Sequence, residues 1–235
     1  NPTPGPNMTQ IISSDKNDLA LLISELHPCS YLDGRLARML YVDPSNTLDI
    51  SIYSRLSEYG FRRNGNFLYT PHCPDCLACI PSRILISQFK PSNSQKRCCK
   101  KNIDVKLIQT SEIDIAEHYP IYASYITVRH EDGTMFPPSA NQFTDYLVTP
   151  LECTEYLEYR INNSLVGCSV IDMFENSLSA IYTYFDPDYQ SRGLGNYAIL
   201  KQVELAKKLG LGYLYLGYWI ENCKKMSYKS RYKGL

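Results

Sequence analysis

The chain lacks any apolar run near the ~20 residues that a bilayer helix needs, and its amino terminus has no basic stretch followed by an apolar one. A membrane span and a secretory leader are therefore not expected, and the cytoplasm is the default compartment. Net charge is also missing, since 24 Lys and Arg balance 24 Asp and Glu. No phosphate-binding P-loop, HExxH pair or Ser-His-Asp order is visible, which argues against an ATP-driven ligase and a hydrolase. Phenylalanine is scarce, with 7 against 20 tyrosines, so apolar area comes with hydroxyls attached, as suits grooves and interfaces. What remains is 235 residues with 44% hydrophobic content, enough for one large domain or two modest lobes. The 9 cysteines are an odd number in a chain that needs no disulfides for its core, so most are expected as reduced thiols. The segment NPTPGPN before Met8 reads as a leader foreign to the fold and is set aside.

The balanced charge is unevenly spread. Residues 83–106 carry seven Lys or Arg against Asp104 alone, residues 108–160 carry nine acids against two arginines, and the tail from Glu221 to Leu235 has five basic residues and one acid. Segregation of this kind suggests a side that faces a polyanion, with ordinary solvated helix faces as the other reading.

Local pattern predicts short strands and turns in the first half. LARMLYVDP reads as a strand stopped by Pro44, and TLDISIYSRLSEYG as a helix with Leu48, Ile52, Leu56 and Tyr59 on one face and Gly60 at its end. NFLYT and RILISQF read as strands flanking a cysteine loop. PSNSQKRCCKKN predicts a short basic helix, IDVKLIQ a strand, and SEIDIAEHYPIYASYITVRH a helix interrupted at Pro120, followed by a loop through DGTMFPPSA. TEYLEYRIN, SLVGCSVIDMF and SLSAIYTYFDP then predict an antiparallel meander. LGNYAILKQVELAKKLG predicts an amphipathic helix through Tyr197, Leu200, Val203 and Leu205. YLYLGYWI predicts a strand and ENCKKMSYKSRY a basic closing helix. The order is α+β.

Two stretches invite chemistry. In YFDPDYQSRGLGNYAIL, the residues Gln190, Gly193 and Gly195 make a Q-x-x-G-x-G turn that opens a helix, where unpaired backbone N–H groups and the helix dipole can hold an oxyanion. After a meander and before a helix-strand-helix unit, this turn resembles the acyl-donor loop of the acetyltransferase-like (GNAT) fold. In YTPHCPDCLACIPSRI, His72, Cys73, Cys76 and Cys79 lie close together. Three cysteines this near need a distant residue such as Cys29, Cys98 or Cys99 to complete a tetrahedral zinc site, while the same triplet suits iron–sulfur ligation or a loop of packed reduced thiols. His130, after tyrosines at 119, 122 and 125, is a candidate base or a structural residue.

Longer segments carry a family resemblance. CSYLDGRLARMLY (29–41), YGFRRNGNFLYTPHCPDCLACIPSRI (59–84), SQKRCCKKNID (94–104), YASYITVRHEDGTM (122–135) and the run from Tyr182 to Tyr232 resemble, in the same order, the bacterial aspartate/glutamate leucyltransferases, relatives of the eukaryotic arginyl-tRNA-protein transferases. The resemblance implies a GNAT-like mixed sheet with flanking helices in two lobes, placed here at 8–110 for acceptor recognition and 111–235 for transfer. It implies transfer of leucine from charged tRNA to the α-amino group of proteins beginning with Asp or Glu, marking them for N-degron degradation, with aminoacyl-tRNA as donor, no cofactor and no membrane partner. The ester is already activated, so no nucleotide is needed. On this reading Tyr184, Asp186, Tyr215 and Tyr218 orient the amine and the leaving oxygen, with His130 as the candidate base. Arg62, Arg63, Arg83 and Arg129 are candidates for the acceptor carboxylate, Gln190, Arg192, Gly193 and Gly195 for the donor, and Lys96, Arg97, Lys100, Lys101, Lys224, Lys225 and Lys229 for tRNA phosphates. No metal is assigned, because Leu32 stands where the eukaryotic branch has the second cysteine of C-x-x-C. An arginyl donor, a CoA-dependent N-acetyltransferase and an RNA-binding module with a cysteine-bound metal remain the rival readings.

Overall fold

The computed structural model describes residues 9–11, 19–46, 49–148 and 151–235. The segment before Met8, and Leu48 of the expected helix face, lie outside the described residues. The chain divides into two compact units, Asn1–Ser82 with Gly217–Arg231, and Arg83–Leu216 with Tyr232–Leu235. This division differs from the one expected at residue 110.

The first unit contains β1 (Thr9–Ile11), β2 (Leu21–Ile23), β3 (His27–Pro28), β4 (Leu36–Ala37), β5 (Met39–Val42), α1 (Ile50–Glu58), β6 (Arg62–Asn64) and β7 (Phe67–Pro71). Five of these strands form a sheet in the order β1-β2-β5-β7-β6, and β3 pairs with β4 as a separate hairpin. Asp49 caps α1 by accepting the Ile52 N–H at 2.7 Å. The buried face of α1 is that of Tyr53 and Ser57, one helical turn apart, and Tyr59 is 78% exposed. The expected stripe through Ile52, Leu56 and Tyr59 is thus rotated by one residue, because the large Tyr53 ring takes the inner position.

The second unit is built on β8 (Ile80–Leu85), α2 (Asn93–Lys101), β9 (Lys106–Thr110), α3 (Ile115–Arg129), α4 (Ala140–Leu147), β10 (Thr154–Ile161), β11 (Ser164–Met173), β12 (Ser177–Phe185), α5 (Leu194–Lys208) and β13 (Tyr213–Trp219), the division between units falling inside β8 and β13. Its sheet runs β8-β13-β12-β11-β10-β9. Residues 83–110 belong here because β9 pairs with β10 and α2 packs on α5. The predicted meander is present. Asn162 and Asn163, both at positive φ (49° and 66°), form the tight turn between β10 and β11, a conformation that asparagine tolerates and that matches the strand twist.

Helices cover both faces of this sheet. Leu157, Tyr159, Leu178 and Leu214 pack with α5, while Tyr156, Val170 and Tyr184 pack with Tyr122 and Ile126 of α3 and Phe143 and Leu147 of α4. A bulge makes this possible. Val170 pairs with Tyr182 and Ile171 with Ala180, leaving Ile181 as the extra residue, so Leu178 and Ala180 face α5 whereas Tyr182 and Tyr184 face α3 and α4. The parallel pairing of β12 with β13 covers only Ser177–Ser179 against Tyr213–Tyr215.

Two helices depart from expectation. α3 runs unbroken through Pro120, whose ring is exposed, as is Ala116, the residue whose carbonyl loses its usual donor. α4 was not anticipated. Ser139 caps it through the Gln142 N–H at 3.1 Å, and Phe143 and Leu147 bury one face. The basic segment near the carboxyl end is a 3-10 turn over Lys224–Arg231. Beyond it, the Tyr232 hydroxyl donates to Asn196 Oδ1 at 2.6 Å, and the Leu85 N–H donates to the Gly234 carbonyl at 2.8 Å.

Candidate functional site

The turn from β12 to α5 is fully specified by its own hydrogen bonds. The Asp186 N–H donates to the Val166 carbonyl at 2.9 Å, and the Asp186 carboxylate accepts the Asp188 N–H at 3.0 Å, starting the 3-10 turn Pro187–Arg192. Gly193 closes that turn in the left-handed region (φ +69°) and begins α5 with no side chain capping the helix. Its carbonyl accepts the N–H groups of Asn196 and Tyr197 at 3.1 and 3.0 Å. The first-turn N–H groups of Leu194 and Gly195 have no carbonyl within the helix to reach, which concentrates positive potential there.

The last turn of α2 and its C-cap Asn102 hold this turn. Lys101 Nζ donates to the Ser191 carbonyl at 2.7 Å, Asn102 Nδ2 to the Arg192 carbonyl at 3.0 Å, and Cys98 Sγ lies 3.6 Å from the Gly193 carbonyl. Arg192 forms a two-pronged pair with Asp104 at 2.7 and 3.0 Å, and that hydrogen bonding holds the Asp104 carboxyl below its ordinary range. Two expected roles change. The Arg192 guanidinium is engaged with Asp104, and the Lys101 ammonium with the loop. Lys96, Arg97 and Lys100 are exposed on α2.

The end of α3 adds a second group beside the turn. The Tyr125 ring meets Phe185 at 4.9 Å and His130 at 5.2 Å, while the Arg129 guanidinium lies 5.7 Å from the Phe185 ring. Phe185 also stands 3.6 Å from where a Cβ on Gly195 would be. Burial pushes the Tyr125 hydroxyl up against the opposing pull of Arg129. His130 and Arg129, two expected site residues, are thus gathered with the glycine turn, and Tyr125 joins them unforeseen.

Tyr184 sits elsewhere. It is fully buried, and its hydroxyl is 2.7 Å from His118 Nδ1, whose Nε2 is 3.0 Å from Glu158. Arg160 continues the chain, donating to Glu158 at 2.7 Å and to Glu117 at 2.8 and 2.6 Å. Burial pushes the Tyr184 hydroxyl far up and holds the His118 imidazole below its ordinary value despite the neighbouring Glu158. The expected orienting role for Tyr184 therefore gives way to membership of an internal network. Tyr215 is also buried, with Arg83 Nη1 3.5 Å from its hydroxyl and the Arg83 guanidinium 4.1 Å over the Tyr213 ring.

Within the first unit, Arg62 donates to the carbonyls of Ser57 and Phe61 at 2.9 and 2.6 Å, and Arg63 to that of Gly65 at 2.9 Å; both are buried. The Tyr218 hydroxyl donates to the Gly60 carbonyl at 2.7 Å, and burial pushes it up to about 12. Lys229 is only 5% exposed and donates to the Tyr218 carbonyl, with its pKa brought down to about 8 by burial and then by Arg62. A phosphate cannot reach a side chain so placed. Its neighbours Lys224 and Lys225 are exposed. The basic run disguised this difference, since nothing in its composition marks which lysine turns inward.

The cysteine loop between β7 and β8 borders a small cavity of about 30 Å³ lined by His27, Cys29, Tyr31, Cys73, Cys76 and Cys79 among others. Burial, and next the neighbouring thiols, push Cys79 up to about 11. Among the described residues, no three His, Cys, Asp or Glu side chains are grouped to hold a metal ion.

Three antiparallel strands, a glycine turn opening a helix, and a parallel strand that leaves its neighbour after three pairs define a GNAT-like acyltransferase fold. FemX shares it with a TM-score of 0.50 at 8% identity over 93% of this chain and 81% of that one, a likeness of fold alone. Residues 27–97 match the family described as arginine-tRNA-protein transferase, N terminus, and residues 117–235 its C terminus. An aspartate/glutamate leucyltransferase of Saccharophagus degradans is 48% identical over 221 residues, 94% of each chain, and one of Teredinibacter turnerae is 48% identical over 92% of this chain and 89% of its own. The chain belongs to this family of aminoacyltransferases.

Proposed function

We propose that the protein moves leucine from charged tRNA onto the α-amino group of proteins whose first residue is Asp or Glu. The observation that carries this reading is the β12–α5 turn, held at the mouth of a 15-residue helix with Arg129 beside Phe185 and His130 beside Tyr125, which packs on that same ring, in a chain 48% identical to a named leucyltransferase. The reaction joins the acceptor nitrogen to the leucyl carbonyl carbon and breaks the ester bond to the ribose, whose oxygen departs with a proton. An α-ammonium with a pKa of about 7.7–8.0 needs only a modest base. In this reading His130 takes that proton, and Asp186, at the start of the turn, helps to orient the amine. The positive end of α5 at Gln190, Gly193 and Gly195 steadies the donor's negative charge.

Exposed Lys96, Arg97, Lys100, Lys224 and Lys225 contact tRNA phosphates in this reading, and Arg83 and Arg129 are the reachable cations for the acceptor's carboxylate. Marking proteins for N-degron degradation in the cytoplasm, with aminoacyl-tRNA as the only co-substrate, completes the proposal. The test is transfer of labelled amino acid from purified Leu-tRNA or Arg-tRNA onto peptides beginning with Asp, Glu or Ala. Label from Leu-tRNA on the acidic peptides only is expected. Label from Arg-tRNA instead would move the donor assignment, and incorporation from acetyl-CoA alone would replace the proposal.

A further inference from the structure

We infer that Asn102, with Lys101 beside it, is a positioning device for the donor turn: it sets the direction of the turn's backbone N–H groups and thereby the affinity for charged tRNA. This rests on the reading of the β12–α5 turn as the donor-binding element. The argument begins with peptide planarity. In a trans peptide the C=O of one residue and the N–H of the next point in opposite directions. The carbonyls of Ser191 and Arg192 are drawn towards the end of α2 by Lys101 Nζ and Asn102 Nδ2, at 2.7 and 3.0 Å. The N–H groups of Arg192 and Gly193 must then face away from α2, and that of Gly193 closes the turn on the Gln190 carbonyl at 3.1 Å, which sets the turn that presents the first N–H groups of α5. The Gly193 carbonyl is engaged by Asn196, Tyr197 and the Cys98 thiol, which fixes the Leu194 N–H at the first position of α5.

The fold bears local costs to keep this brace. Asn102 is fully buried and ends α2, where its Nδ2 also donates to the Cys98 carbonyl at 2.9 Å, yet its Oδ1 is buried with no hydrogen-bond partner. The two carbonyl contacts leave no doubt about which side-chain atom is the amide nitrogen. An orphaned buried acceptor is destabilising, and an apolar residue of the same size would avoid it. Ile103 is 88% exposed between Asn102, which turns in, and Asp104, which reaches out to Arg192. An inward Asn and an outward Ile are the reverse of what stability alone selects. What this arrangement achieves is a rigid N–H array, placed before the donor arrives.

The test is steady-state transfer by Asn102→Leu, which keeps the branched shape and the neutral charge but removes both donors. Its KM for Leu-tRNA is expected to rise about 10- to 100-fold, the scale of one buried hydrogen bond to an unsatisfied partner, with KM for the acceptor peptide unchanged. Lys101→Met, at an exposed site, covers the case in which Asn102→Leu does not fold. It should raise the same KM about 2- to 5-fold without altering the slope of log KM against log salt, whereas loss of a phosphate contact lowers that slope by about 1. Donor KM within twofold of wild type in every folded variant overturns the inference. So does a parallel rise in KM for both substrates, or a lowered salt slope as the only effect of Lys101→Met. Gly193→Val run alongside separates the two levels: if it too leaves donor KM unchanged, the turn is not the donor element and the functional reading fails first. If it raises donor KM while the brace variants do not, the brace alone fails.

Discussion

The β12–α5 turn and the cysteine loop are both glycine- or cysteine-marked connections, but they are held in different ways. Each successive carbonyl from Ser191 to Gly193 has an assigned donor, and Arg192 is clamped by Asp104. Beyond the His72 N–H, which donates to the Arg38 carbonyl at 2.8 Å, the 72–79 loop has weaker ties, such as Cys73 Sγ to the Arg38 carbonyl at 3.8 Å and Arg35 to the Asp75 carbonyl at 3.5 Å, around a small cavity. Leu77 in that loop is 94% exposed. The first connection is preorganised, as electrostatic catalysis requires, and the second is suited to adjust its shape. A conspicuous motif is therefore a weaker guide to chemistry than the number of directions from which a segment is restrained.

The largest expected effect falls on the restrained turn. Gly193→Val places a β-branched residue at φ +69° and is expected to lower kcat/KM for Leu-tRNA by about 100-fold or more, roughly 2.7 kcal/mol, while the far-ultraviolet spectrum stays native. Near-normal transfer would show that the turn tolerates rearrangement and would erase the contrast with the cysteine loop.

An intermediate effect concerns pH and the network behind the turn. The groups facing His118 are Tyr184, Glu158 and, through it, Arg160 and Glu117. Burial holds the folded imidazole below the ~6.5 of the unfolded chain, so below that pH the unfolded state takes up a proton that the folded state resists. This contribution to stability is present above pH ~6.5 and is lost as pH falls towards the folded value. Urea midpoints should drop between pH 7.5 and 5.5, and the drop should be smaller in His118→Gln. An equal drop in both would place the sensitivity in other groups.

The smallest effect is expected in the cysteine loop. Cys76→Ser should leave both KM values and kcat within about twofold, the ordinary range for a substitution outside a packed network. A selective rise in acceptor KM would reverse the comparison, making the loop a recognition element.

Much of the second unit was legible because β-branched and aromatic runs, the Asn-Asn turn and the Q-x-x-G-x-G opening of α5 act locally. The site was less so. The bulge at Ile181 changes which face Tyr182 and Tyr184 present, and no strand alternation reveals such an extra residue. Lys229 hides among lysines of identical composition, and burial is decided by its partners in space. Asn102 and Arg192 lie 90 positions apart, so their bond leaves no spacing signal. Arg62 and Arg63 suit a carboxylate by their directional donors and their family-like GFRRNG setting, whereas both are turned onto backbone carbonyls.

The bond from Tyr232 to Asn196 carries a practical lesson for anyone handling the enzyme. Asn196 lies in the first turn of α5, next to Gly195, so a tag or surface tether attached at Leu235 would be anchored three residues from a side chain that grips that helix. Pulling on such a tether loads that helix directly. Immobilised preparations should for this reason be compared with freely diffusing protein before any loss of transfer is blamed on the substrate.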